Sequence, residues 1–231
     1  MIDVSATAPK TTFTTFWIFR STSASVSWSD DQRGMACRQA VQIVESHRDQ
    51  ATMRAAYSTI GLTAGVDLIL WLVADDVAAF QRLGAELSKS AIGPALEAKH
   101  AYLGMASGSQ YNPEHGPAFI RGLPPKKYLS VYPFSKTPAW YLLPFEKRRE
   151  LMAAHGRLGD EFPSILTNTV SSFGIADQEF VVALEDDDPA VLIRMVQRLR
   201  GAEVREYTLV DTPIFLGLRK ELGEVLMDAL P

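Results

Sequence analysis

The same order of predicted elements occurs in both halves of this chain, and this repeat limits the fold more than any other feature. In the first half, apolar residues at alternating or helical spacing predict a strand, a helix, two strands, a second helix and a strand. These elements cover residues 12–19, 35–48, 53–60, 67–74, 77–87 and 99–106. Asp75 or Asp76 is placed to cap the second helix.

The second half repeats this order after a connection rich in glycine and proline. Its elements are predicted at residues 127–135, 144–158, 166–173, 179–185, 188–199 and 206–219, with a terminal helix at 221–230. The sequences Leu72-Val-Ala-Asp-Asp-Val77 and Leu184-Glu-Asp-Asp-Asp-Pro189 also correspond, each leading from a strand into a helix. We therefore expect an α+β fold of two units, residues 1–107 and 127–231, joined by a loop at 108–126. Their antiparallel sheets would pack face to face with the helices outside.

The composition excludes several classes of function. A net charge of −4 without a basic stripe argues against nucleic acid as a partner. Cys37 is the single cysteine, so a disulfide within the chain or a multi-cysteine metal site is excluded. The longest apolar run, residues 68–74, is far shorter than the ~20 residues that span a bilayer. Since the N-terminus does not resemble a signal peptide, we expect a cytoplasmic protein with no membrane span.

Tyr132 and His155 are candidates for redox chemistry at a haem-type iron. Tyr132 lies in a predicted strand, and His155 lies on the inner face of the next helix, near Leu151 and Leu158. An imidazole can be an axial ligand of iron, and a phenol can donate an electron or a hydrogen atom. Periodicity alone leaves two alternatives open, a core histidine bonded to a backbone carbonyl and a tyrosine packed between sheets.

Other side chains accompany these two residues. Tyr128 shares the strand face of Tyr132, and Lys136 follows at the same parity. Phenols and an ammonium group suit a ligand that bears carboxylates, although a surface lysine is the alternative. Trp140 is expected at the rim of the cavity. His115 lies in a glycine- and proline-rich loop, where it is a solvated histidine on its own or, beside an iron, a base for peroxide.

Several short motifs carry a resemblance to a known family. They are Pro113-Glu-His-Gly-Pro-Ala-Phe-Ile-Arg-Gly, Tyr128-Leu-Ser-Val-Tyr-Pro-Phe, Trp140-Tyr-Leu-Leu-Pro, Arg148-Arg149, His155-Gly and Thr167-Asn-Thr-Val. With them, residues 13–219 resemble the chlorite dismutase-like superfamily, and within it the coproheme decarboxylases of the actinobacterial type. The resemblance implies two ferredoxin-like units in a dimeric α+β barrel, assembled as a homopentamer.

The resemblance also implies a reaction and the residues that perform it. The substrate would be iron coproporphyrin III (coproheme), which hydrogen peroxide oxidises so that two propionates lose carbon dioxide and haem b is formed. His155 matches the axial ligand, Tyr132 the tyrosine that becomes a tyrosyl radical, and His115 the distal histidine. The expected porphyrin contacts are Lys136, Trp140, Tyr128 and Asn168, with Lys136 near a propionate.

Three alternatives remain open at this point. One is a haem enzyme that decomposes chlorite. Such members carry a distal arginine where this chain has Thr167, Asn168 and Thr169, so a cation that would stabilise an oxyanion is missing. The others are a haem-binding or haem-delivery protein without turnover, and a barrel protein that binds no cofactor.

Overall fold

A closed barrel of eight antiparallel strands is the centre of the computed structural model, which describes residues 11–106 and 116–231. The strands are β1 Thr12–Ser21, β2 Ala51–Ser58, β3 Leu68–Ala74, β4 Leu96–Ala106, β5 Tyr128–Lys136, β6 Leu166–Ser171, β7 Phe180–Asp186, β8 Thr208–Val210 and β9 Phe215–Lys220. The helices are α1 Asp30–Ser46, α2 Val77–Lys89, α3 Pro138–Leu142, α4 Phe145–Gly159, α5 Pro189–Arg200 and α6 Leu222–Ala229. The short strand β8 pairs with β5 outside the ring.

Each half of the chain contributes four strands in the same spatial order. The first half runs β4-β1-β3-β2, and the second half runs β9-β5-β7-β6. In this order β9 corresponds to β4, β5 to β1, β7 to β3 and β6 to β2. The halves join at two seams, where β2 pairs with β9 and β4 pairs with β6. This arrangement confirms the predicted fold class of two ferredoxin-like units in a dimeric α+β barrel. The two sheets form one continuous wall, because the edge strands of one unit pair with the edge strands of the other.

Apolar side chains from both halves fill the barrel. Phe16, Trp71, Leu129 and Val131 are fully buried and belong to one inward-facing cluster. Because successive side chains of a strand point to opposite faces, Ser130 and Tyr132 point outward. Tyr132 is among these outward residues and packs with the helical layer. The barrel therefore places the candidate site on the outer face of the second half.

The helices cover the outside of the barrel. On the strands of the first half, α1, α2 and the C-terminal helix α6 pack in a single large cluster. In the second half, α5 packs on β5 and β7. None of the helices in the two described ranges combines the length and the apolar character needed to cross a bilayer.

The observed elements differ from the predicted ones in a few places. α1 begins at Asp30 rather than at residue 35, because Ser29 and Gln32 form a capping box in front of it. Asp76 caps α2 as predicted, since its Oδ1 accepts a hydrogen bond of 3.0 Å from the backbone N–H of Ala78. The helix α3 was not predicted. The unit boundaries at residues 107 and 127 stay predictions, and residues 107–115 lie outside the described ranges.

Candidate functional site

Helix α4 covers the barrel less closely than its equivalent in the first half. α1 buries five residues in a cluster that also contains strand residues. α4 buries only Leu151, which packs with Trp140 and Val204 in a cluster without any strand residue. On β6 the outward-facing Thr167 and Thr169 remain exposed. Helix α4 therefore contributes no buried side chain to a cluster with the strands that it covers.

His155 lies on α4 with a ring nitrogen that has no partner. Its Nδ1 is buried and makes no hydrogen bond within the described residues. Burial, and then the positive charge of Lys136, lower the pKa of His155 from its usual value. The imidazole is therefore neutral at pH 7, which leaves a lone pair for a metal. A buried polar atom without a partner is costly, so this site favours an additional bonding group.

Lys136 is a buried cation at the end of β5. The residue is 8% exposed, and its Nζ lies 4.5 Å from the ring centroid of Trp140 and 5.2 Å from that of Phe134. Burial lowers the pKa of Lys136 to about 8; the carboxylate of Glu179 opposes this shift, and Arg205 adds to it. An ammonium group held among aromatic rings favours an anionic partner more strongly than one in water.

Glu179 anchors the end of β5 to the short helix α3. Its Oε2 accepts a hydrogen bond of 2.7 Å from the backbone N–H of Lys136 and one of 2.6 Å from the Tyr141 hydroxyl. The Ser135 hydroxyl accepts a hydrogen bond of 3.2 Å from the backbone N–H of Glu179. These contacts hold Lys136 in place beside Trp140, which lies on α3.

Tyr132 lies in an environment that also contains two arginines. Burial raises the pKa of Tyr132 to about 12; the charges of Arg200 and Arg205 act in the opposite direction, whereas that of Asp211 adds to the rise. The Asp211 carboxylate accepts hydrogen bonds from both guanidinium groups. The phenol is therefore neutral at pH 7, and a group that can bind carboxylates lies close to it.

The two arginines were missed by the sequence analysis. Arg200 ends α5, and Arg205 lies in a short turn of 3-10 helix after it. Neither belongs to a motif or to a periodic pattern that points to Tyr132. Their shared contact with Asp211, in the segment before β9, arises only when α5 and this segment meet.

The structure brings only some of the predicted site residues together. Trp140 is buried beside Lys136, and its ring packs at a tilt against that of Tyr207, with the centroids 5.6 Å apart. Tyr128 shares the outer face of β5 with Tyr132, ~13 Å from it along the strand and on the side away from Lys136. His115 lies outside the described residues.

Asn168 does not join the group on the outer face. It points into the barrel, where its Oδ1 accepts a hydrogen bond of 2.9 Å from the backbone N–H of Phe119. Its Nδ2 donates to Glu185 Oε1 at 3.0 Å. Because side chains alternate between the two faces of a strand, Thr167 and Thr169 of β6 face the site instead.

Fold and site together define a class of protein. It is a tandem ferredoxin-like barrel in which a partly buried histidine on one outer helix accompanies a tyrosine and basic side chains on the sheet below. The family model described as chlorite dismutase matches residues 33–220 of this chain. The chain therefore belongs to the chlorite dismutase family, as its motifs predicted.

Individual relatives agree with this assignment. The chain is 30% identical over 203 residues to the coproheme decarboxylase of Mycolicibacterium smegmatis, a match that covers 87% of each chain. It is 29% identical over 175 residues to the coproheme decarboxylase of Staphylococcus saprophyticus, covering 69% of this chain and 70% of the relative. A chlorite dismutase variant from Candidatus Nitrospira defluvii has a similar structure, with a TM-score of 0.87 at 19% identity over 95% of this chain and 96% of that one. The last similarity supports the fold alone.

Proposed function

We propose that this protein is an enzyme, a hydrogen peroxide-dependent coproheme decarboxylase that converts iron coproporphyrin III into haem b. One observation carries the proposal: on α4, which shares no buried cluster with a strand, His155 has a buried ring nitrogen without a partner among the described residues. The coproheme decarboxylase of M. smegmatis, which matches most of the chain, supports the same assignment.

His155 is the residue that would hold the iron. A neutral imidazole is a suitable ligand of iron, and the lowered pKa of His155 favours that form. The sparse packing of α4 and the exposed Thr167 and Thr169 on the outer face of β6 would suit a flat macrocycle. When bound, the iron porphyrin supplies the oxidising chemistry with peroxide.

Basic side chains near Tyr132 would hold the carboxylates of the substrate. Lys136 is buried beside Trp140, and Arg200 and Arg205 share the carboxylate of Asp211. Guanidinium and ammonium groups bind carboxylates through short, charge-assisted hydrogen bonds. This positioning would bring one propionate to within ~3 to 3.5 Å of the tyrosine oxygen, the separation that transfer of a hydrogen atom requires.

Tyr132 is proposed to transfer the hydrogen atom. Its high pKa keeps the phenol neutral, so it enters the reaction with its O–H bond intact. After losing an electron and that proton, it takes a hydrogen atom from the β-carbon of the propionate. A second electron then leaves the substrate, the bond to the carboxylate breaks, carbon dioxide departs and a vinyl group remains. Each round consumes one peroxide and one proton and forms two waters.

We propose His115 as the base for peroxide.

A homopentamer and a cytoplasmic location complete the proposal. Apolar side chains on the outside of the protein, such as Leu142, Ile193 and Leu209, are more than half exposed and offer surface for contacts between chains. Sedimentation of the purified protein should then give a particle of five 25.5 kDa chains.

The experiment that tests the function starts with the purified protein and iron coproporphyrin III. The Soret band reports binding, and the masses of the porphyrins report turnover after stepwise addition of peroxide. We expect two successive losses of carbon dioxide together with two hydrogens, ending at haem b. Binding without any change in mass would identify a haem-binding or haem-delivery protein instead. Dioxygen release from chlorite would identify a chlorite-decomposing enzyme, and absence of binding would contradict the proposal.

A further inference from the structure

A buried ion pair inside the barrel joins the two halves of the chain. Nη2 of Arg54 on β2 donates to Oε1 of Glu185 on β7 at 2.7 Å. Their side chains are 8% and 0% exposed, so both charges are removed from water. A pair of this kind persists only with good geometry and additional hydrogen bonds, and an apolar pair of similar volume often stabilises a protein equally well. Its presence here points to a role beyond stability.

A β-bulge in β2 turns Arg54 into the barrel. The register with β3 passes from Met53 opposite Leu72 directly to Ala55 opposite Trp71, which leaves Arg54 without an opposite residue. Two consecutive side chains, those of Arg54 and Ala55, therefore face inward. The guanidinium group lies 4.6 Å from the ring centroid of Trp71. Bulges commonly re-aim a side chain near a functional site.

The ion pair binds the backbone of the segment that connects the two halves. Nη1 of Arg54 donates to the carbonyl oxygen of Leu123 at 2.9 Å. The second carboxylate oxygen of Glu185 accepts from the backbone N–H of Lys126 at 2.9 Å. This segment, residues 116–126, contains turns but no strand or helix, so its backbone groups depend on such partners.

Asn168 extends the cluster to a third point of the connecting segment. It donates to Glu185 and accepts from the backbone N–H of Phe119. The adjacent Ala118 donates its backbone N–H to the Thr167 carbonyl oxygen at 3.1 Å. Three side chains from three strands thus bind three separate peptide groups of the connecting segment.

The cluster and the proposed site lie on opposite faces of the same strands. Glu185 is opposite Leu129 of β5, the strand that carries Tyr132. Asn168 alternates with Thr167 and Thr169, which face the layer beneath α4. A shift of the connecting segment or of Glu185 would therefore displace strands that form the wall of the site.

We propose that Arg54 and Glu185 are positioning residues. Together with Asn168 they form a latch that fixes residues 116–126 to the barrel and keeps β5, β6 and β7 in the arrangement that binds porphyrin. The second part of this inference rests on the proposed function. The latch gives Arg54 of the N-terminal half an indirect role in a site whose proposed iron ligand, His155, and radical residue, Tyr132, come from the C-terminal half.

The first test measures hydrogen exchange in the porphyrin-free protein. Arg54→Met keeps most of the side-chain length but removes both donors. We expect amides in residues 118–126 to exchange about tenfold faster, relative to peptides of α1 in the same sample, which corresponds to about 1.4 kcal/mol of lost protection. Arg82→Met is the matched control, because Arg82 is an exposed residue of α2 that binds Gln50. Unchanged exchange of 118–126 in folded Arg54→Met would overturn the latch.

The second test measures porphyrin binding in Glu185→Gln. This variant keeps the shape and an acceptor oxygen of Glu185 while removing its charge, so it guards against a failure of Arg54→Met to fold. We expect the Kd for iron coproporphyrin III, from a Soret titration, to rise about fivefold, as for the loss of about 1 kcal/mol. An unchanged Kd would overturn the positioning role. If the unmodified protein does not bind the porphyrin, the proposed function fails, whereas the exchange result still decides the latch.

Discussion

At the scale of single residues, the proposed bond to the iron depends on one imidazole, that of His155. We expect His155→Ala to lose the characteristic ligand-field bands of an imidazole-bound iron and to bind iron coproporphyrin III at least ~10-fold more weakly. Optical and electron paramagnetic resonance spectra of the loaded protein provide the measurement. His47→Ala is the control, since His47 pairs with Glu86 in the first half. An unchanged spectrum in His155→Ala would show that another ligand holds the iron.

The proposed radical role of Tyr132 depends on its O–H bond. Tyr132→Phe keeps the ring but removes the O–H bond, so we expect normal porphyrin binding and no decarboxylated product after peroxide addition. Mass spectrometry of the porphyrins checks this outcome. Tyr102→Phe makes the same change inside the barrel, where the hydroxyl lies 3.3 Å from His100 Nδ1, and should still form product. Normal product from Tyr132→Phe would remove the proposed role.

The lowered pKa of Lys136 predicts that the affinity for the porphyrin depends on pH. Its pKa of about 8, lowered mainly by burial, means that the ammonium charge is present below this pH and is lost above it. We expect the affinity for the tetracarboxylate porphyrin to fall ~10-fold as the pH rises through 8, since a charge-assisted hydrogen bond is lost. Lys136→Met should bind weakly at all pH values and lack this step. Parallel pH profiles of the two proteins would contradict the prediction.

The same pKa shift has a consequence for the free protein. The folded state releases the proton of Lys136 near pH 8, whereas an unfolded lysine keeps it to about pH 10.5. Because the unfolded state binds more protons between these values, the contribution of Lys136 to stability rises with pH in this window.

At the scale of elements, two glycines allow the halves to close into a barrel. Gly104 on β4 and Gly217 on β9 lie in the fourth strand of each unit, at the two seams. A Cβ atom at residue 104 would clash with the Val170 side chain, and one at residue 217 would lie 2.7 Å from the Cβ of Tyr57. The fourth strand of each unit therefore carries a glycine, because the close approach of the two halves at each seam leaves no room for a side chain.

Alanine at either seam glycine should destabilise the barrel. We expect Gly104→Ala and Gly217→Ala to lower the free energy of unfolding by about 1–3 kcal/mol, as overpacked sites do. Urea denaturation followed by tryptophan fluorescence measures the change. Gly223→Ala in α6 is the control, because its Cβ would find its nearest neighbour at 3.9 Å. Equal midpoints for all three variants would show that the seams can adjust.

Helices and strands were predicted correctly where their signal lies in neighbouring residues of the sequence. Alternating apolar residues identified the strands, and the aspartate before α2 was correctly named as a candidate cap. The bulge at Arg54 was not predicted, because it is defined by the register with β3 and leaves the composition of β2 unchanged. The helix α3 was missed because five residues are too few for a periodic pattern.

At the scale of the whole molecule, porphyrin binding should stabilise the fold. A ligand that binds only the folded state contributes RT ln(1 + [L]/Kd), or about 2.7 kcal/mol at a hundredfold excess over Kd. We expect iron coproporphyrin III to raise the thermal midpoint, as measured by calorimetry, and the rise to be smaller in His155→Ala. A midpoint that does not depend on porphyrin concentration would contradict binding to the native barrel.

The sequence by itself determined the order of the elements, the repeat, the strand face that Tyr132 shares with Tyr128 and the position of His155 on the helix after its strand. These properties follow from spacing along the chain, to which the motifs added the family. Only the tertiary structure decided that this face of Tyr132 is the outer one, that α4 shares no buried cluster with a strand, that Arg200 and Arg205 share Asp211, and that Arg54 meets Glu185 across 131 residues. Local periodicity encodes which side of an element is buried, whereas register, bulges and closure of the barrel set the distances between elements.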